Sequence, residues 1–302
     1  MKRLRIASII LFIVSVLVFS VYIYNQKIVK DQTGPIFAMD SDVINISVKD
    51  EESELLQGIT ASDAGDGDVT ESIIVEAISP FTGTGHRIVS YAAFDSDNHV
   101  AHAKRELIYT DYISPRFQLS KPLSFSMNAT NILEGISVID CIDGDISRNV
   151  RLMTEEEVDT AHVGEYSARL KVSNSAGGVS YLPVTIEIYD ASVRYRLPQL
   201  QLSENIVYIR KGSEFDEEEY LKSVSINGTE YSFVDNNGTY GSRYKAEDAE
   251  NTIDKNLVDI ESDVDSDVTG CYEVNYAFDD TENRSGTGTA RLYVVVTEEG
   301  EQ

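Results

Sequence analysis

The stretch DAGDGDVTE occupies residues 63–71, and DCIDGDISR occupies residues 140–148. Both follow one frame, D-x-x-D-G-D, then a β-branched residue, then Thr or Ser. Glycine in that frame can take positive φ and end a strand, while Asp side chains accept backbone amides around the turn. The same residues also suit calcium, which takes six to eight oxygens. Asp63, Asp66, Asp68 and Glu71 would supply four carboxylates in the first copy, whereas Arg148 replaces the glutamate in the second. The spacing departs from the EF-hand loop. Both readings stand, and the turn needs fewer assumptions.

The segments around the two motifs recur in order. A prolyl start appears in TGPIF (33–37), ISPRF (113–117) and RLPQLQL (196–202). ELLQGITASD (54–63) is matched by NILEGISVID (131–140) ahead of the acidic turn. A Gly-led strand follows in GHRIVSYAAFDSDN (85–98), GEYSARLKVSNSAG (164–177) and GCYEVNYAFDDTEN (270–283). Each unit closes on an apolar strand: KRELIYTD (104–111), LPVTIEIYD (182–190) and RLYVVVTE (291–298). Alternation at period two with Val, Ile and Tyr enrichment predicts antiparallel strands. Three units result, at 31–111, 112–191 and 192–299. The third lacks the Gly-Asp turn and carries an insertion, INGTEYSFVDNNGTYGS (226–242), whose Asn-Gly pairs predict hairpins. An acidic stretch, EFDEEEYLK (214–222), predicts a turn or two of helix.

Ahead of the repeats, MKRLR precedes IASIILFIVSVLVFSVYIY (6–24), which has no charge. Such a helix spans about 28 Å, close to the hydrocarbon thickness of a bilayer. Lys2, Arg3 and Arg5 favour a cytoplasmic tail at 1–5 and an extracellular body, with a linker and the start of the first strand at 25–38. The segment ends in bulky VYIYNQK rather than in small residues, which favours an uncleaved single-pass anchor in the cell membrane over a signal peptide.

The 302 residues include 25 Lys plus Arg against 51 Asp plus Glu, a formal charge of −26. That balance argues against a nucleic-acid partner. Cys141 and Cys271 fall in different repeats, so no disulfide framework is expected and each unit must hold by its core. The histidines (His86, His99, His102 and His162) form no ligand pattern, and no catalytic fingerprint or nucleotide-binding loop is present. The cluster DSDN (95–98) reads as a hairpin turn.

The ordered set carried by Leu56, Gly58, Thr60, Asp63, Asp66, Gly67, Asp68, Val69, Thr70, Gly85, Tyr91, Ala93, Asp95, Asn98, Ala101 and Arg105 resembles the Ig-like repeats of bacterial surface proteins. The likeness is to the Gram-positive surface and pesticidal-crystal-protein type, akin to hyalin-type repeats. The second unit keeps Leu133, Gly135, Asp140, Asp143, Gly144, Asp145, Gly164 and Tyr166; the third keeps mainly Gly270, Tyr272, Tyr276, Ala277, Asp279 and Asn283. The resemblance implies an all-β chain of three tandem Ig-like sandwiches after one transmembrane helix. It implies spacer and adhesion work with an extracellular protein or glycan, no catalytic residues and no cofactor beyond the calcium candidate. A calcium-dependent adhesion module and a cell-wall glycan-binding protein are the competing functions, and the insertion at 226–242 is the expected binding face.

Overall fold

The computed structural model describes residues 2–28, 33–154, 156–234, 252–280 and 285–298. Residues 29–32 within the predicted linker at 25–38, the part of the 226–242 insertion beyond Val234, and Asn283 lie outside them. One long helix, Lys2–Ile28, contains a 20-residue span, Arg5–Tyr24, that is long and apolar enough to cross a membrane and has no buried residue. Everything after it is built mainly from strands, which join into six sheets. By contact the chain separates into two compact units, Met1–Tyr112 and Ile113–Gln302.

In the first unit, strands Ile36–Met39, Ile59–Asp63 and Gly67–Asp68 make one sheet. Val43–Ile46, Ile74–Ile78, His86–Phe94 and Val100–Tyr109 make the other. The core between them holds Leu55, Ile59, Ala61, Val89, Tyr91 and Leu107. Alternation explains the choice: Ile59, Ala61 and Asp63 are buried while Thr60 and Ser62 face solvent. Fully burying one such aliphatic side chain is worth about 1.5–3 kcal/mol.

The second unit repeats this topology once strand for strand and once with a four-stranded first sheet, in which Thr229–Val234 and Thr252–Asp254 pair in parallel. In each case a short strand runs parallel to the closing strand of its repeat: Val43–Ile46 beside Glu106–Tyr109, Ser124–Ser126 beside Glu187–Tyr189, and Ile206–Arg210 beside Tyr293–Thr297. One core gathers Phe117, Val138, Leu170, Leu182 and Ile186, and another gathers Val224, Ile253, Val274, Tyr276, Phe278 and Leu292. The expected hairpin is present where Asn227 and Gly228, both at positive φ, join Leu221–Ile226 to Thr229–Val234. The acidic stretch forms a 3-10 turn at Glu217–Tyr220. Asp280 is fully buried and occupies the strand-end position of Asp95, which corrects the expected match to Asp279.

Within this unit the last two sheet pairs also pack on each other. Ile206 and Tyr293 join the core of the preceding repeat, with Tyr208, Cys271 and Val295 against it. These residues lie on strands whose opposite faces fill their own core, so the strands are apolar on both faces. The run Leu292–Val296 carried that signal in the sequence. Cys141 and Cys271 form no disulfide.

Candidate functional site

The two acidic turns share one set of hydrogen bonds from their three Asp residues. Asp63 Oδ1 accepts the N–H groups of Gly65 and Asp66 at 2.8 and 3.1 Å. Asp140 Oδ1 accepts those of Ile142 and Asp143 at 3.0 and 2.9 Å. The second Asp reaches across to the next hairpin: Asp66 accepts the N–H and hydroxyl of Ser96 at 2.7 and 2.8 Å. Asp143 does the same with Ser175 at 2.6 and 2.7 Å. The third Asp accepts from the residue two positions on, Asp68 from the Thr70 N–H at 3.0 Å and Asp145 from the Ser147 N–H at 2.9 Å. Hydrogen bonds from Ser147, its hydroxyl first and then its N–H, hold Asp145 below the usual carboxylate range. The Thr70 and Ser147 hydroxyls in turn accept the N–H groups of Ala61 and Val138. Each residue type of the frame therefore has a backbone reason to be there.

Of the four predicted calcium ligands, the structure gathers Asp63, Asp66 and Asp68 in one turn and aims them at N–H and hydroxyl donors. Glu71 sits exposed on the following 3-10 turn, Thr70–Ser72. Among the described residues no three His, Cys, Asp or Glu side chains converge into a group that could hold a metal. DSDN forms the predicted turn, with Asn98 at positive φ and Asp95 accepting the His99 N–H at 2.7 Å. His99 and His102 do not meet on a shared ligand; their Nδ1 atoms contact Asp95 and Glu76 respectively.

A second candidate lies in the Ile113–Gln302 unit, where the outer sheet faces of its two repeats meet. Tyr293 and Arg291 project from the closing strand onto the preceding repeat. The Tyr293 hydroxyl donates to the Thr185 carbonyl and accepts the Thr185 N–H, both at 3.0 Å. Arg291 contacts Glu165 at 3.0 Å and Glu273 at 3.2 Å. Those carboxylates raise the Arg291 pKa against the opposing effect of burial. Beyond these contacts the faces part into a cleft of about 500 Å³. Glu165, Glu187 and Thr185 line one wall, and Asp259, Glu261 and Asn275 the other. Arg194, held 2.7 Å from Glu187, closes one end. Asp259 and Glu261 stand on the edge strand Val258–Ser262 and are exposed. No short motif marks this cleft, because its two walls come from segments of different repeats, residues 165–187 and 259–275.

No protein-family model matches the chain, and no curated protein matches it by sequence. Among solved structures it overlaps with the CBM51-2 and INT domains of Clostridium perfringens ZmpB in complex with GlcNAc, at 17% identity and a TM-score of 0.22. That overlap covers 49% of this chain and only 26% of the other. The lipoprotein BT2262 of Bacteroides thetaiotaomicron overlaps at 12% identity over 59% of this chain and 98% of its own, TM-score 0.22. The human CDH23 repeats EC21–23 overlap at 9% identity over 87% of this chain and 100% of their own, TM-score 0.17. Overlaps of this size carry no argument about ligand or activity.

Proposed function

We propose that the chain is a non-enzymatic, membrane-anchored protein of the bacterial cell surface whose Ig-like repeats serve as spacer and binding modules. The observation that carries this reading is the apolar span Arg5–Tyr24, with no buried residue, ahead of a β body in which a four-stranded sheet with a parallel strand beside its closing strand recurs three times. A helix with that much exposed apolar surface is stable in lipid and not in water. The binding face is placed at the cleft between the last two repeats, where two rigid sheets set fixed polar groups opposite each other. Its exposed carboxylates and the amide of Asn275 suit hydroxyl and ammonium groups, the chemistry of a cell-wall glycan bearing amino sugars. The chain has no Trp, and the Tyr276 and Tyr293 rings that border the cleft are buried, so recognition there rests on hydrogen bonds.

Two measurements test the reading. Protease treatment of intact cells expressing the full chain should remove the body and leave the anchor; a protected body would overturn the topology. Titration of chitosan oligosaccharide into the detergent-solubilised chain should show binding that Asp259→Asn with Glu261→Gln weakens roughly tenfold or more. Unchanged binding by the double variant would remove the cleft from the proposal.

A further inference from the structure

The two acidic turns differ at one buried position, and the difference is chemical. Ser96 bonds to Asp66 as Ser175 bonds to Asp143, so Asp95 in the first repeat stands where Asn174 stands in the second. Asn174 Oδ1 accepts the Gly178 N–H at 2.7 Å, and its Nδ2 donates to Asp140 Oδ2 at 3.0 Å. Asp95 Oδ1 likewise accepts the His99 N–H at 2.7 Å. Its other atom is an oxygen with no proton to give, and it lies 2.6 Å from His99 Nδ1. Asp63 Oδ2, the counterpart of the oxygen that Asn174 satisfies, is buried and has no hydrogen-bond partner. Asp63 is 7% exposed and Asp95 8%. The first repeat therefore keeps two carboxylates at the place where the second keeps a carboxylate and its donor; the His99 ring partners Asp95, and only Asp63 Oδ2 is left without one. A buried carboxylate oxygen left without a donor is unfavourable, so the site favours a bound positive charge.

We propose that Asp63 and Asp95 share one calcium ion, and that this site is absent from the second repeat because Asn174 takes the place of the ion. The ligand pair differs from the one the motif suggests: Asp66 and Asp68 spend their oxygens on Ser96 and Thr70, and Glu71 stays outside. Hard anionic oxygens select calcium or magnesium over softer metals, and a site that offers two carboxylates and irregular turn backbone suits the flexible coordination of calcium. Carbonyl oxygens and water would complete the shell. With so few charged ligands the affinity belongs to the weak range of extracellular modules, about 10⁻⁴–10⁻³ M. The inference does not depend on the cleft or on the identity of its ligand.

The test is calorimetry and thermal unfolding of the full chain in detergent micelles, with calcium chloride titrated to several millimolar and then removed with EDTA. The wild type should take up one calcium, and one unfolding transition should rise by several degrees. Asp95→Asn, which copies the second repeat, should melt in EDTA at or above the wild-type temperature and lose the calcium response. Asp63→Asn provides a second variant and should lose it too, whereas Asp68→Asn should retain it. A wild type that melts alike in calcium and EDTA overturns the proposal. So does an Asp95→Asn variant that still responds, or a wild-type response that magnesium reproduces in full. A transition that rises on mild acidification but not with calcium assigns the place to a proton and equally overturns the metal.

Discussion

Tyr293 and Thr185 exchange two hydrogen bonds across the junction of the last two repeats, one in each direction, both at 3.0 Å. The phenol therefore satisfies both backbone groups of a strand residue whose outer face another sheet covers. This geometry makes Ile113–Gln302 one unit rather than two beads joined by a linker. Tyr293→Phe leaves the Thr185 N–H and carbonyl without their partner and should lower unfolding free energy by about 1–3 kcal/mol. Thr185→Val keeps those backbone bonds and loses only the hydroxyl contact to Glu273, so it should cost less. Denaturant melts of the two variants give the comparison, and an equal loss would mean that the backbone exchange is worth no more than the Thr185 hydroxyl contact to Glu273.

Alkaline pH should loosen the same junction. Burial pushes the Tyr293 and Tyr208 phenols up to about 12 each. A phenol whose pKa is raised by folding contributes stability that is whole below about pH 10 and falls away as pH rises through the folded value. Each group is worth on the order of 2 kcal/mol over that window. The buried Tyr276 moves the same way, so replacing Tyr208 and Tyr293 with Phe should shrink the dependence between pH 10 and 12 without abolishing it. Unfolding free energies measured at several pH values decide the matter; an undiminished slope in the double variant would contradict it.

The Tyr91 hydroxyl donates to the Leu55 carbonyl, and the Tyr276 hydroxyl donates to the Glu217 carbonyl, both at 2.8 Å. Each bond ties a central strand to a 3-10 turn. The middle repeat places the fully buried Leu170 at the matching position, four residues before Asn174. Tyr91→Phe and Tyr276→Phe should each cost about 1–2 kcal/mol, through the carbonyl left unsatisfied. Leu170→Tyr should cost as much or more, because it overfills a packed core. Chemical denaturation of the three variants would show the ranking.

Two glycines should respond to alanine for different reasons. At Gly67, φ is +77° and a Cβ would meet nothing within 4 Å, so Gly67→Ala carries only the left-handed backbone penalty of about 1–2 kcal/mol. At Gly288 a Cβ would stand 2.1 Å from the Pro198 carbonyl oxygen, on backbone that cannot swing aside. Gly288→Ala should therefore cost about 3 kcal/mol or more. Thermal melts that rank the two in the opposite order would show that the strand ending in Thr297 shifts more freely than its packing suggests.

The local structure was legible in the residues themselves because its causes are short-range. A charge-free run at 6–24 makes a helix long and apolar enough to cross a membrane, alternation at Ile59–Asp63 chooses a buried face, and Asn227-Gly228 supplies the two positive φ values of a tight hairpin. The acidic frame likewise declared its turn, since Asp63, Asp66 and Asp68 each bind donors only a few residues away or on the neighbouring hairpin. What alternation cannot say is whether an outward face meets water or another sheet. Tyr293 and Arg291 point outward from their own repeat and find Thr185 and Glu165 in the preceding one. Nor does a repeated motif reveal what its buried neighbour supplies. Asp95 and Asn174 look like ordinary variation within a turn until folding sets Asn174 against Asp140 and leaves the matching Asp63 oxygen without a donor. There a single N–H decides whether a buried carboxylate has a partner, so tertiary packing, acting through desolvation, settled the difference between the two copies.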